Sequence, residues 1–210
     1  MRVGAVVLAA GASRRFGGDK LYAWFRGKPM LQHATEAVSQ AVADGVLATG
    51  VVVLRPGDAC GQGLVAAQGL RAVIAPDACL GLAQSLSAGL AALEDADPAA
   101  ALVLLGDQPL VGVEAIAAVC RAARGIPAAI VRPRYDEEPD VPGHPVLLRR
   151  DLWASIPQLR GDAVFAHLSA QGAETRTVLL PGANPDVDTP SEFDMLYQRG
   201  RHPASPSRDR

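Results

Sequence analysis

Short apolar runs rich in β-branched residues alternate with longer, alanine-rich stretches of helical period along most of the chain. That rhythm predicts crossover units and a mostly parallel sheet with helices on both faces. The predicted strands are Val3 to Ala9, Gly50 to Leu54, Ala72 to Ala75, Ala101 to Leu105, Ala128 to Arg132, Pro145 to Leu148 and Thr175 to Leu180. Between them, helices are predicted over Pro29 to Ala43, Cys60 to Leu70, Leu82 to Leu93, Val113 to Arg124, Arg150 to Ile156, Asp162 to Ala170 and Ser191 to Gln198. Pro29 suits a first helical turn, where its fixed φ is helical and its missing N–H is not needed. Two stretches break the rhythm. RPRYDEEPDVPGHP, Arg132 to Pro145, is rich in proline and charge and reads as a long exposed loop, a lid or a linker. The tail beyond residue 198 has no apolar period and reads as disordered, which leaves residues 1–198 as one domain.

Composition narrows the class. With 210 residues and 49% hydrophobic content there is enough apolar side chain for one substantial core. A formal charge of −2 argues against a broad basic face, so neither nucleic acid nor an anionic membrane is an expected partner. Charged residues interrupt every apolar stretch before it reaches the ~20 residues of a membrane span. Val3 to Leu8 followed by Ala10-Gly11-Ala12 has a faint likeness to a secretory signal. Its basic residues follow the apolar run instead of preceding it, and cleavage would remove a central strand. Cys60, Cys79 and Cys120 are odd in number and far apart, with no CxxC pattern, and are expected to be small buried hydrophobes in a reduced, cytoplasmic protein.

In an open parallel sheet ligands gather at the carboxyl ends of the strands, so chemistry is sought directly after each strand. After the first strand the chain reads LAAGASRRFGGDK, Leu8 to Lys20. Ala9, Ala10 and Gly11 present backbone N–H groups with little bulk, and Arg15 and Lys20 add the positive charge that a buried polyphosphate requires. The loop matches neither GxxxxGK[ST] nor GxGxxG. Taken alone it reads equally well as a basic strand-to-helix connection. A second apolar strand ends in Gly106-Asp107-Gln108-Pro109, where Asp107 is placed either to hold a hard cation such as Mg2+ or to cap a turn. A magnesium site with one protein carboxylate wants a second carboxylate or phosphate oxygens. NPDVDTPSEF, Asn184 to Phe193, offers Asp186 and Asp188, one of which is expected to face inward, unless Asp188 or Thr189 only caps the last helix. No Ser-His-Asp order or activated cysteine is evident, which suits a protein that supplies position and charge while its substrate supplies the nucleophile.

These residues carry a resemblance. LAAGASRRFGGDK is similar to the nucleotidyltransferase signature LAAGxSxRxGxxK, with Leu8, Ala9, Ala10, Gly11, Ser13, Arg15, Gly17 and Lys20 in register. Within that superfamily the succession of LAAG, GLAQSL, GDQP, GHPVLL and DVDTP, spanning about Val3 to Phe193, most resembles the molybdenum cofactor cytidylyltransferases. The resemblance implies a Rossmann-like three-layer α/β/α domain with a mostly parallel mixed sheet. It also implies transfer of CMP from CTP to the terminal phosphate of molybdopterin, with Mg2+ required and pyrophosphate released.

Carried over by residue, it sets Leu8, Ala9, Ala10, Gly11 and Ser13 against the nucleotide and Arg15 and Lys20 against the triphosphate. Gly81 and Ser85 fall near the base or ribose, and Asp107 and Asp188 at the metal. Arg15, Lys20 and Asp107 are then the catalytic set, with His144 and Asp162 on the acceptor side. Ala10 stands where the GTP-using relatives usually carry glycine, which favours cytosine. The chain departs from many cytidylyltransferases after Gly161-Asp162, where GDAVFAHL lacks their glycine and arginine. The acidic group Asp136, Glu137, Glu138 and Asp140 would repel a phosphorylated pterin if it faced the site, and is expected on a solvated surface. Two other readings stay open: another pairing of nucleotide and phosphorylated acceptor, such as GTP with the same cofactor, or a non-catalytic nucleotide- or cofactor-binding chaperone for a molybdenum hydroxylase. A hydroxylase or its chaperone is also a candidate recipient of the product.

Overall fold

In the computed structural model, which describes residues 1–11, 13 and 15–199, the segment Val3–Ala9 (β1) is buried along its whole length. It is followed by a small hairpin of Trp24–Phe25 (β2) and Lys28–Pro29 (β3), then Met30–Ala43 (α1), Thr49–Leu54 (β4), Ala59–Ala67 (α2) and Arg71–Ile74 (β5). Next come Leu82–Leu93 (α3), Ala100–Leu105 (β6), Val113–Ala122 (α4), Ile130–Tyr135 (β7), Glu138–Pro142 (β8) and Val146–Arg149 (β9). Val164–Ala170 (α5), Thr175–Leu180 (β10) and Pro190–Arg199 (α6) complete the order. The main sheet runs β10-β7-β9-β6-β1-β4-β5, with β8 paired to β7. β1 is parallel to both β4 and β6, whereas β9 is antiparallel to β6 and β7, so the sheet is mixed and mostly parallel as expected.

Alternation along the buried strands builds two cores. Val3, Ala5, Val7 and Ala9 point to one face, where α1, α2 and α4 cover them with Leu31, Val38, Val65, Ile116 and Val119. Val6 and Leu8 point to the other, against Leu86 and Leu90 of α3, Trp153 and Ile156 of the 3-10 segment Arg150–Gln158, and Phe165 of α5. The outcome is three layers, α/β/α. A third, smaller cluster lies off the sheet: Phe25 and Met30 pack on Val187 and Leu196, with Phe16 and Phe193 against them. The rings of Phe16 and Phe193 meet edge to face at 5.8 Å. This cluster ties α6 to the segment after β1.

Several sequence expectations are corrected. Arg132 to Pro145 is not one long loop, because β7 runs on to Tyr135 and turns back as β8, with a register shift between Arg134 and Tyr135. Two of its four prolines, Pro139 and Pro142, sit on β8, an outer strand paired only with β7, where a missing N–H is tolerated. Pro29 lies one residue ahead of α1 at its N-cap, inside β3. Of the cysteines only Cys120 is buried, while Cys60 and Cys79 are exposed. Among the described residues no helix is long and apolar enough to cross a membrane. The tail expected to be disordered falls on residues 199–210, of which 200–210 lie outside the described residues.

α3 comes close to the sheet at Gly89. A Cβ there would sit 2.4 Å from Cγ1 of Val6 and 2.9 Å from Cγ2 of Val53. Gly89→Ala is therefore expected to destabilise the fold by about 1–3 kcal/mol despite alanine's better helix propensity. Urea unfolding measures it, and an unchanged or raised midpoint would show that α3 has slack to move away.

Candidate active site

β1, β4 and β6 end side by side, and the segments that leave them enclose a cavity of about 620 Å3. Leu8, Ala9, Ala10, Gly11 and Ser13 form its floor, Gly81, Leu82 and Ser85 one wall, and Lys20, Asp107, Asp186 and Asp188 another. Ser13 has φ 48°, a left-handed conformation uncommon for serine, and its buried hydroxyl has no hydrogen-bond partner. An orphan hydroxyl and strained backbone at a cavity floor suit a loop shaped for an acceptor-rich ligand. Gly106, at the end of β6, packs so closely that an added Cβ would meet Leu31 Cδ1 at 2.9 Å and Ala9 Cβ at 3.1 Å, which lets Asp107 lie next to the first loop.

Lys20 is the centre of the wall. It is 8% exposed, and its Nζ lies 2.5 Å from Oδ2 of Asp107 and 2.9 Å from Oδ1 of Asp188, and donates to the carbonyl of Val187 at 2.8 Å. Burial alone would lower the ammonium's pKa, but the charges and hydrogen bonds of Asp107 and Asp188 outweigh it and hold the group above its ordinary value. It therefore stays cationic at physiological pH. Asp186 receives a hydrogen bond from Nε2 of Gln108 at 2.6 Å. Burial raises its pKa, and the neighbouring Asp107 and Asp188 add to that against the opposing pull of Gln108 and Lys20.

The expectation that only one of Asp186 and Asp188 faces inward is corrected: both line the cavity. Residues two apart share a face of an extended segment, and Val187 between them is fully buried in the satellite cluster on the other side. Capping does not claim Asp188 either. The side chain of Glu192 accepts from the backbone N–H groups of Asp188 and Thr189, both at 2.8 Å, and the Thr189 hydroxyl accepts from the N–H of Glu192 at 3.2 Å. This reciprocal box starts α6 and leaves the Asp188 carboxylate free for the cavity. Arg15 is mostly exposed and bonds Asp188 at 2.6 Å; it reaches the site through that carboxylate and does not line the cavity itself.

Asp107 and Asp188 both reach one cationic atom, at 2.5 and 2.9 Å, and their oxygens are the ligand type that suits a hard divalent cation. Among the described residues no group of three or more His, Cys, Asp or Glu could hold a metal. With Asp107 and Asp188 as its protein ligands, a bound ion would draw its other ligands from water and a phosphorylated substrate. The residues present fit that arrangement.

A second cavity of about 290 Å3 adjoins the first, and Asp162 and Asp186 line both. Asp162 also receives the N–H of Leu82 at 3.0 Å, so it holds the start of α3 while facing both spaces. The left-handed Gly81 beside it lies so near Gly161 that a Cβ would meet backbone at 2.8 Å. His144 lines the smaller cavity with its ring edge to Phe165 at 5.8 Å. Burial and then the charge of Arg132 push its pKa down to about 3, so the ring is neutral at physiological pH. Of the acidic group in β8 and the turn before it, expected on a solvated surface, Glu138 instead lines this cavity.

Gln108 and Asn184 stand inside GDQP and NPDVDTPSEF without a role assigned from sequence, and Arg55 lies outside every quoted motif. Arg55 directly follows β4, pairs with Asp19 and donates to the Gly11 carbonyl at 3.5 Å. The strand-end rule that found Asp107 applies to it equally, and it also lines the large cavity.

The profile of the MobA-like NTP transferase domain matches residues 5–176. A bifunctional enzyme IspD/IspF of Rhodospirillum rubrum is 33% identical over 187 residues, covering 84% of this chain and 47% of that one. A 2-C-methyl-D-erythritol 4-phosphate cytidylyltransferase of Dehalococcoides mccartyi is 51% identical over 41 residues, 19% of this chain and 18% of the relative. The chain thus spans half or less of the curated relatives it matches. Among solved structures, Rv0371c of Mycobacterium tuberculosis H37Rv in complex with manganese superposes with a TM-score of 0.75 at 23% identity, covering 94% of this chain and 99% of that one. That likeness is one of fold.

The depressed His144 gives a pH prediction. Between about 6.5 and about 3 the unfolded chain takes up a proton on this residue that the folded chain refuses, so stability falls as pH falls through that window. His144→Gln is expected to flatten the dependence by up to about 1.4 kcal/mol per pH unit. Urea midpoints between pH 7 and 4 measure this, and an unaltered slope would mean the ring titrates freely.

Proposed function

The chain belongs to the MobA-like NTP transferase family, and from that premise we propose that it is a divalent-metal-dependent nucleotidyltransferase that moves CMP from CTP to the terminal phosphate of molybdopterin, releasing pyrophosphate. The observation that carries the reading is the buried Lys20 ammonium, held between Asp107 and Asp188 on the wall of one cavity that shares Asp186 and Asp162 with another. A two-substrate transfer needs two adjoining compartments with the charged group at their junction.

In this reading the large cavity holds CTP, with the base and ribose toward Gly81 and Ser85 and the triphosphate over Ala9, Ala10, Gly11 and Ser13. Backbone N–H groups and the Ser13 hydroxyl donate to phosphate oxygens, and Lys20 meets the charge that develops as pyrophosphate leaves. Asp107 and Asp188 would hold the ion, which when bound neutralises phosphate charge and aligns the α-phosphorus. An oxygen of the acceptor phosphate attacks that phosphorus from the small-cavity side, and the bond to the pyrophosphate oxygen breaks. Arg15 orients Asp188. Ala10, buried at the floor, stands where the GTP-using relatives usually carry glycine, which supports CTP as the donor.

A second acceptor class is favoured by one observation: the matched cytidylyltransferase of Dehalococcoides mccartyi is named for a phosphorylated methylerythritol. A small phosphorylated alcohol therefore belongs in the same assay.

Pyrophosphate release from CTP, GTP, ATP and UTP, with Mg2+ and either molybdopterin or methylerythritol phosphate, tests the proposal. Release is expected with CTP and molybdopterin, and no release from any pair would overturn the reading. Lys20→Ala and Asp107→Ala are each expected to lower turnover by about 100-fold or more, the scale of losing one preorganised electrostatic contact. Near-normal rates would reduce either residue to a structural ion pair.

A further inference from the structure

Three buried polar atoms without a hydrogen-bond partner belong to residues lining the small cavity: Oε1 of Gln108, Oδ1 of Asn184 and Nε2 of His144. Gln108 is 2% and Asn184 8% exposed. The orientation of each amide follows from its other end. Nε2 of Gln108 donates to Oδ1 of Asp186 at 2.6 Å, and Nδ2 of Asn184 donates to the His144 carbonyl at 3.4 Å. Flipping either amide would set oxygen against oxygen, so the unpaired atoms are carbonyl acceptors. Buried acceptors left unpaired are costly, and two of them with an imidazole nitrogen around one space form a site that a donor-bearing ligand completes.

The rest of the lining narrows that ligand. Phe165, Pro142 and Pro185 supply apolar walls. The one lining guanidinium, Arg132, lies 5.8 Å from the Phe165 ring and gives its N–H groups to the carbonyls of Pro142 and Gly143. Carboxylates of Glu138, Asp162 and Asp186 complete the wall. Acceptors and carboxylates repel a phosphate and attract N–H groups, and apolar walls favour a ring.

We infer that the small cavity is the acceptor's ring site, and that Gln108, Asn184 and His144 select a nitrogen heterocycle presenting an N–H edge of the 2-amino-4-oxopyrimidine type. This rests on the reading of the chain as a nucleotidyltransferase with a phosphorylated acceptor. The ring sits between Phe165 and the prolines, its donors reach the Gln108 and Asn184 carbonyls, and its phosphate passes the shared wall toward Lys20. A phosphorylated alcohol has hydroxyl donors for these atoms but no flat ring for Phe165 and the prolines to hold.

Pterin and lumazine, of nearly equal shape, differ in that a carbonyl replaces the 2-amino group, and the intrinsic fluorescence of each reports binding. Titrated into the whole protein with and without CTP, pterin is expected to bind at least about tenfold more tightly than lumazine. Gln108→Met and Asn184→Leu should each weaken pterin about tenfold and erase the preference, while the thermal shift produced by CTP persists and reports an intact fold. Equal binding of the two rings, no binding of pterin, or unaltered pterin affinity in both variants would overturn the inference. Selective pterin binding without pyrophosphate release would sustain it and overturn the proposed reaction instead. Turnover with an acceptor but no preference for pterin would do the reverse.

Discussion

The buried ammonium of Lys20 is the constraint on which the site depends. The segment after β1 carries it, and two segments distant in sequence, the end of β6 and the stretch before α6, bring Asp107, Asp188 and the Val187 carbonyl to it. Without the lysine, Asp107 and Asp188 would face each other with Asp186 close by, and their mutual repulsion would push the segment around Val187 outward. With it, both carboxylates close on one ammonium. Breaking such a pair from one side leaves an uncompensated buried charge, so the residues that position the chemistry are bound to those that close the fold.

Apolar packing prepares that meeting. The main cores orient β1, β4 and β6 so that their carboxyl ends open on one space, and Gly106 lets β6 come in close to β1 there. The satellite cluster does the rest. Val187 is anchored among Phe25, Met30 and Leu196, and an extended backbone then turns the residues on either side of it toward the cavity. Phe16, edge to face with Phe193, ties the loop after β1 to the same cluster. Charge and apolar contact thus fix the same two segments from opposite sides.

Most of the architecture was legible in the sequence because β1, β4 and β6 are apolar runs without interruption, and such runs are read by composition alone. α3 was legible to its bounds. Arg132 to Pro145 was not, because proline and charge are turn signals in general, and their tolerance on an outer strand depends on which neighbour the strand has. The loop from Leu8 to Lys20 and Asp107 could be found by the rule that strands end at ligands. Asp188 remained ambiguous between cap and site until Glu192 and Thr189 were seen to cap each other. Gln108 and Asn184 carry no motif weight of their own. Their importance lies in one end of each amide being bonded and the other not, a property of tertiary placement that no spacing encodes.

The two cavities cannot be treated as independent. Asp162 lines both and also receives the first N–H of α3, whose opening turn presents Ser85 to the larger space. Asp186 lines both and is bonded to Gln108, which in turn faces the smaller one. A ligand that pairs with the free carbonyl of Gln108 would hold that side chain, and through its other end the Asp186 carboxylate, in the orientation seen beside Lys20. The physical link between the two cavities is therefore a single amide that lines the smaller one and bonds the Asp186 carboxylate shared by both. Because an amide cannot turn one end without turning the other, filling the smaller cavity bears directly on the charge arrangement in the larger one.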